Sequence, residues 1–166
     1  FCFNHNIKSL SDKIHQLPDL ESLSLEVNDI EFLPPKFSML QNLLSLNVSG
    51  NPIKDHIEII TKLPKLTSLN ICENRCKEEQ ISIPNSIKNL KLLRYLDMSD
   101  CKLKDIPACI GELKNLEYLN LENNETTNFK LNDKTSKKNN IPRKIIKPNK
   151  SEILLHKEYL KSSLTK

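Results

Sequence analysis

A chain of 166 residues with 37% hydrophobic content is long enough to bury one continuous core, but two glycines (Gly50 and Gly111) are too few for a phosphate-cradling loop. A formal net charge of +4 is too small for bulk electrostatics to specify a nucleic-acid or membrane partner, and no stretch has the length and apolarity of a membrane span. Five cysteines (Cys2, Cys72, Cys76, Cys101, Cys109) form neither a CxxC pair nor a Cys/His set at zinc-ligand spacing, so no metal or other cofactor is expected and a reducing, cytoplasmic setting is.

Internal periodicity dominates the chain. The string L-x-x-L-x-L-x-x-N recurs as Leu20, Leu23, Leu25, Asn28; Leu43, Leu46, Val48, Asn51; and Leu66, Leu69, Ile71, Asn74. Two further copies read Leu93, Leu96, Met98, Cys101 and Leu116, Leu119, Leu121, Asn124. The step is 23 residues except between Asn74 and Cys101, where it is 27. Stepping back 23 from Asn28 reaches His5, with Cys2, Ile7 and Leu10 in register. The chain is therefore expected to begin inside a sixth copy, with its natural N-terminus and N-terminal cap absent.

Each part of the string has a physical task. The x-L-x-L-x segment alternates with period two, which predicts a short strand, and stacked copies predict a parallel sheet. Asn28, Asn51, Asn74 and Asn124 close the strands, where a buried amide can satisfy backbone groups that would otherwise lack partners. Cys101 and His5 take that slot with other donors. Leu33-Pro34 and Ile106-Pro107 mark the crossing to the other side of the layer, since proline suits an extended segment or a first helical turn. After Asn51 that crossing is replaced by Asp55-His56-Ile57-Glu58, which has the form of a helix capping box. The four extra residues of the long step fall in Arg75–Gln80 and predict a bulge.

From Lys130 the repeat fades. Residues 1–129 carry 14 Lys and Arg against 18 Asp and Glu, a net of −4, whereas residues 130–166 carry 11 against 3, a net of +8. Residues 130–140 read as a basic flexible loop. Residues 141–166 read as a C-terminal cap, with Ile141-Pro142 and Ile145 repeating the crossing signature. An amphipathic helix follows over Ser151–Leu164, N-capped by Asn149.

Alternation also predicts three columns on the solvent face of the sheet. They are Ser22, Ser45, Ser68, Tyr95, Tyr118; then Ser24, Asn47, Asn70, Asp97, Asn120; then Glu26, Ser49, Cys72, Ser99, Glu122. None contains Lys or Arg, and Glu73 and Asp100 at the adjoining turns add negative charge. The candidate partner-binding residues are Tyr95, Asp97, Tyr118, Asn120, Glu122, Asp100, Asn70 and Asn47, centred on two tyrosines expected to be neighbours. The competing reading is a cross-strand aromatic pair with no further role. An acidic face suits a basic peptide or domain, and the chain's own tail is one candidate occupant. Of three N-x-S/T strings, at Asn47, Asn124 and Asn149, the one at Asn124 falls at an interior position where a glycan has no room.

The pattern resembles the intracellular Ras-group and Scribble-like leucine-rich repeats, with Leu103, Ile106, Pro107, Ile110 and Leu113 in register with their 23-residue unit. The resemblance covers residues 1–129, about six repeats with the first truncated. It implies an α/β solenoid, a horseshoe with a parallel concave sheet and helical, 3-10 or extended convex segments, and it implies a monomeric scaffold for signalling. Small GTPases and phosphatase assemblies are the partners seen in that class.

Nothing in the sequence builds a catalytic constellation. There is no G-x-x-x-x-G-K-S/T, G-x-S-x-G or H-E-x-x-H string, and His5, His15, His56 and His156 are scattered through different layers. Cys72, the one cysteine on the predicted concave face, has no neighbouring base. The expected function is non-catalytic protein binding, with no small-molecule substrate. Two alternatives stay open. One is that the chain is the recognition segment of a larger signalling or nuclease enzyme. The other is that its basic tail binds nucleic acid or an anionic membrane, although the tail lacks interleaved aromatics.

Overall fold

The computed structural model describes residues 5–53, 57–74, 81–126 and 144–147. Within them six strands form one parallel sheet in strict chain order: β1 (Ser22–Ser24), β2 (Ser45–Asn47), β3 (Ser68–Asn70), β4 (Tyr95–Asp97), β5 (Tyr118–Asn120) and β6 (Lys144–Ile146). The register follows the repeat, with Leu23, Leu46, Leu69, Leu96 and Leu119 aligned from strand to strand. Parallel neighbours need a crossover, and here each described crossover is a single tight turn backing the strand.

Proline begins three of the four 3-10 turns among the described residues. Pro34, Pro84 and Pro107, at φ −66, −71 and −63, stand as N-caps of 3-10 helices Pro35–Met39, Asn85–Asn89 and Ala108–Glu112. A fixed φ near −65° makes proline ready to begin such a turn. Two crossings lack that proline: one is the 3-10 helix Asp12–Gln16, capped by the Ser11 side chain, and the other, after Asn51, is an α-helix, α1 (Ile57–Ile60). Of its expected capping box, Asp55 and His56 lie outside the described residues. These turns drive large side chains into the layer, and Phe37, Ile60 and Ile87 are fully buried.

The core is one contiguous cluster running the length of the solenoid, built from the Leu, Ile, Val and Met positions of the repeat. An inner row of amides stitches its layers together. Asn51 Nδ2 donates to the carbonyls of Leu25 (2.9 Å), Val48 (3.1 Å) and Ser49 (3.1 Å), and its Oδ1 accepts the Ile30 N–H at 3.1 Å. Asn74 and Asn124 repeat the arrangement on the next layers. Asn124 is buried at 3% exposure, in keeping with an interior position. In the Cys101 slot the thiol donates to Ile71 O (3.0 Å) and Ser99 O (3.2 Å), while Asn124 Oδ1 accepts the Cys101 N–H at 3.2 Å. His5 behaves differently. Its side chain is exposed, and the residue joins the row through its backbone N–H, which donates to Asn28 Oδ1 at 3.1 Å.

The C-terminal segment requires a correction. Ile145, read from the sequence as part of a capping turn, lies in β6 opposite Leu119, with Lys144 opposite Tyr118 and Ile146 opposite Asn120. Leu121 N–H donates to Ile146 O at 2.9 Å, so the segment satisfies amides that β5 would otherwise expose at the sheet edge. The expected insertion bulge at 75–80, the loop at 130–140 and the helix at 151–164 lie outside the described residues.

Candidate functional site

Short strands leave each three-residue segment only one core side chain, so the two flanking residues project onto the solvent face of the sheet. On β4 and β5 the first flanking position is tyrosine. Strand register then brings Tyr95 and Tyr118 face to face, with ring centroids 4.5 Å apart and planes 3° from parallel. On β1, β2 and β3 the same position holds Ser22, Ser45 and Ser68. The face is thus divided into a serine floor and an aromatic rise.

The second flanking position forms an outer row, Asn47, Asn70, Asp97 and Asn120. Each accepts, through its Oδ1, the backbone N–H two residues on: Ser49 and Cys72 at 3.0 Å, Ser99 at 3.0 Å and Glu122 at 3.1 Å. This is the local turn that Asn and Asp side chains make with their own backbone. It leads the chain into a left-handed residue just before the inner row, at Gly50, Glu73, Asp100 and Asn123, and Val27 takes the same conformation after Ser24, with φ between 51 and 64 throughout. Only Gly50 suits that conformation without cost, and Val27, β-branched, is strained there. A Cβ at Gly50 would stand 3.2 Å from Val27 Cγ2 and 3.3 Å from Val27 Cα, tighter than ordinary contact.

Burial corrects part of the expected site. Asp97 and Asn120 are each 8% exposed, and Ser49 and Ser99 are also buried. The Asp97 carboxylate already has four donors, Ser99 N–H (3.0 Å), Ser99 Oγ (2.7 Å), Asn120 Nδ2 (3.2 Å) and Tyr95 Oη (3.3 Å). Outward direction did not ensure exposure, because short polar side chains on adjacent rungs cover and bond one another. Asp97 and Asn120 therefore form the base of the site. The groups that reach solvent around them are the tyrosine rings and the Glu122 and Asp100 side chains, with Asp100 accepting from Asn123 Nδ2 at 3.2 Å; Glu26, at the far end of the sheet, accepts from Asn47 Nδ2 at 3.3 Å.

The electrostatics of this face favour neutral acids over reactive ones. Burial, then the Asp97 charge, pushes the Tyr95 hydroxyl up to about 12 and raises Tyr118 as well. Burial, then Asp97 and Glu73, also raises the Cys72 thiol, the opposite of what a nucleophile requires. Buried Cys101 is pushed up to about 12. Among the described residues, Cys72, Cys101 and Cys109 are free thiols, and no group of three His, Cys, Asp or Glu side chains could hold a metal ion. No described helix is long and apolar enough to cross a membrane.

One basic group was missed by sequence reasoning. β6 extends the first column with Lys144, whose Nζ lies 5.6 Å from the Tyr118 ring centroid. The face is therefore not free of cations. The signal was weak because β6 carries only Ile145 of the repeat's framing residues.

Comparison with known proteins agrees with this geometry. Residues 91–133 match the family described as Leucine Rich repeats (2 copies). An internalin from Listeria monocytogenes superposes with a TM-score of 0.69 at 25% identity, over 86% of this chain and 38% of the internalin. The fold is a leucine-rich-repeat solenoid. A Leptospira interrogans leucine-rich-repeat protein gives a TM-score of 0.64 at 26% identity, over 86% of this chain and 40% of that one. An Arabidopsis thaliana protein named for disease resistance is 50% identical over 42 residues, 25% of this chain and 3% of that protein. This solenoid thus spans less than half the length of each of these relatives. Leucine-rich-repeat domains as a class mediate protein-protein interaction, which is the coarse function the fold carries.

Proposed function

We propose that this solenoid is a non-catalytic module that holds a partner protein on the concave face of its sheet, centred on Tyr95 and Tyr118. The observation that carries the reading is the parallel stack of these two rings, raised above a serine floor and bordered by Glu122 and Asp100. Tyrosine supplies a large rigid contact area with a polar tip, and such residues dominate interface energetics. The carboxylates favour a basic peptide or domain as occupant. The likeness of the repeats to the Ras-group and Scribble-like class supports a cytoplasmic scaffold acting as a monomer, with a small GTPase among the candidate partners. Free thiols at Cys72, Cys101 and Cys109 suit a reducing compartment.

Affinity capture from cytosol tests this reading. The comparison is between the wild-type chain and a Tyr95→Ala, Tyr118→Ala, Glu122→Lys variant that keeps its circular dichroism. Asp97 is left intact because its four internal hydrogen bonds make it structural. Partners lost only from the variant would support the assignment, and partners retained equally by both would overturn it.

A second reading is supported by length. Because the chain covers 3% of the disease-resistance protein and 38% of the internalin, it also fits the recognition segment of a larger protein. A transcript continuing past Lys166 into an enzymatic domain would establish that role.

A further inference from the structure

The tyrosine stack has two outer ring faces. One belongs to Tyr118 and carries a cation of the chain itself, Lys144 Nζ at 5.6 Å from the ring centroid. The other belongs to Tyr95 and looks along the sheet towards Ser68, its register partner on β3. Strands repeat at about 4.8 Å, and the two rings are 4.5 Å apart and within 3° of parallel. The space above Ser68 is therefore the next rung of the same stack, with a hydroxymethyl group where β4 and β5 carry rings. Its surroundings are short and polar: Ser45 beside Ser68, then Asn70 at the end of β3 and Cys72 in the turn after it. Negative charge lies on both sides, from Asp97 on β4 and from Glu73 at the turn after β3. The raised Cys72 thiol, which owes its shift to burial and then to these two carboxylates, reports the same field.

We propose that this rung is a binding slot for an arginine side chain of the partner protein, its guanidinium stacked on the open face of Tyr95 above Ser68. The inference rests on the concave-face reading above and adds the chemistry of the ligand. Lys144 shows that this stack attracts a cation, and stacking of like aromatic faces gives the Tyr95 side the same quadrupole. Arginine fits better than lysine for geometric reasons. Its guanidinium is planar, matches a ring face, and keeps its N–H donors at the edge. There they face the Ser45 and Ser68 hydroxyl oxygens, in the negative field of Asp97 and Glu73 that Cys72 reports. A lysine ammonium would use the ring's charge but not its shape.

Nuclear magnetic resonance titration of the full chain with two capped peptides, Gly-Arg-Arg-Gly and Gly-Lys-Lys-Gly, tests the slot. The expected result is a several-fold tighter response to the arginine peptide, with the largest shifts at the Ser68 amide and the Tyr95 ring. Ser68→Tyr, which fills the rung with a third ring, should abolish that preference. Should this variant not fold, Ser68→Arg places the cation on the rung covalently and should abolish it too. Equal response to both peptides, or shifts centred away from β3 and β4, would overturn the slot. The same outcome, combined with a partner that Ser68→Tyr retains and the tyrosine variant loses, overturns the slot while leaving the interaction reading standing. A partner retained by both variants overturns the two together.

Discussion

Two rows of polar side chains, mostly amides, run along this solenoid four residues apart in each repeat, and they do different work. The inner row, represented by Asn51 and Asn74, reaches across layers: Asn51 bonds Leu25 O of the preceding repeat as well as Val48 O of its own. In the outer row, Asn47 and Asn70 each cap an amide only two residues on. The same residue type thus joins the backbones of successive repeats in one row, and in the other caps a local turn and reaches the next repeat only through side chains, as Asn47 does to Glu26 and Asn120 to Asp97. The lesson is that the inner row governs stability and the outer row shapes the surface, so they should respond very differently to substitution.

The largest effect is expected at the inner row. Asn51→Ala leaves the buried Ile30 amide without its acceptor and takes one donor each from the Leu25, Val48 and Ser49 carbonyls, and should cost about 3 kcal/mol, measured by urea unfolding. Asn47→Ala removes a half-exposed turn bond and should cost about 1 kcal/mol. Equal losses at the two sites would erase the distinction. Between the rows sits Val27, a β-branched residue at φ 51. Val27→Asn should raise stability by roughly 0.5 to 1 kcal/mol, because asparagine tolerates that conformation and Asn123 occupies the equivalent place with a bond to Asp100.

The smallest effects are spectroscopic and read the outer face. The Tyr95 phenol is pushed from an ordinary 10 up to about 12, by burial first and by Asp97 second. A phenol is neutral when protonated, so the folded state holds this proton more tightly than the unfolded chain does. Its contribution to stability is complete below pH 10 and is lost as pH rises through about 12. Absorbance titration near 295 nm should show a late phase that Tyr95→Phe removes and Asp97→Asn moves to lower pH. Thiol labelling sharpens the contrast from the other side. Cys101, in the inner row and pushed up to about 12, should react only on unfolding, whereas Cys72 on the outer face should react slowly in the native protein. Fast native labelling of Cys101 would mean that the layer opens there.

The repeat frame was legible from spacing alone, because a 23-residue period with apolar residues at fixed places admits one parallel stack. The adjacency of Tyr95 and Tyr118 followed from that register. The inner asparagines were legible because a polar residue recurring among leucines must be buried and bonded. Sequence reasoning could not tell which outward-pointing residues remain exposed. Asp97 and Asn120 look as available as Glu122 in a list of alternating positions, yet their hydrogen bonds across the rungs close them off. Nor could it place Lys144, since a strand of three residues with one framing apolar side chain carries too little pattern to read.

What the sequence by itself determined is the period, the core and the facing of each side chain, all consequences of short-range alternation repeated often enough to exclude chance. Only the tertiary structure decided the left-handed row ending in Asn123, the four-donor cage of Asp97, and the edge strand that seats Lys144 on Tyr118. Those features depend on which side chains of different repeats come within bonding distance, and distance between rungs is set by strand stacking, which no single repeat contains.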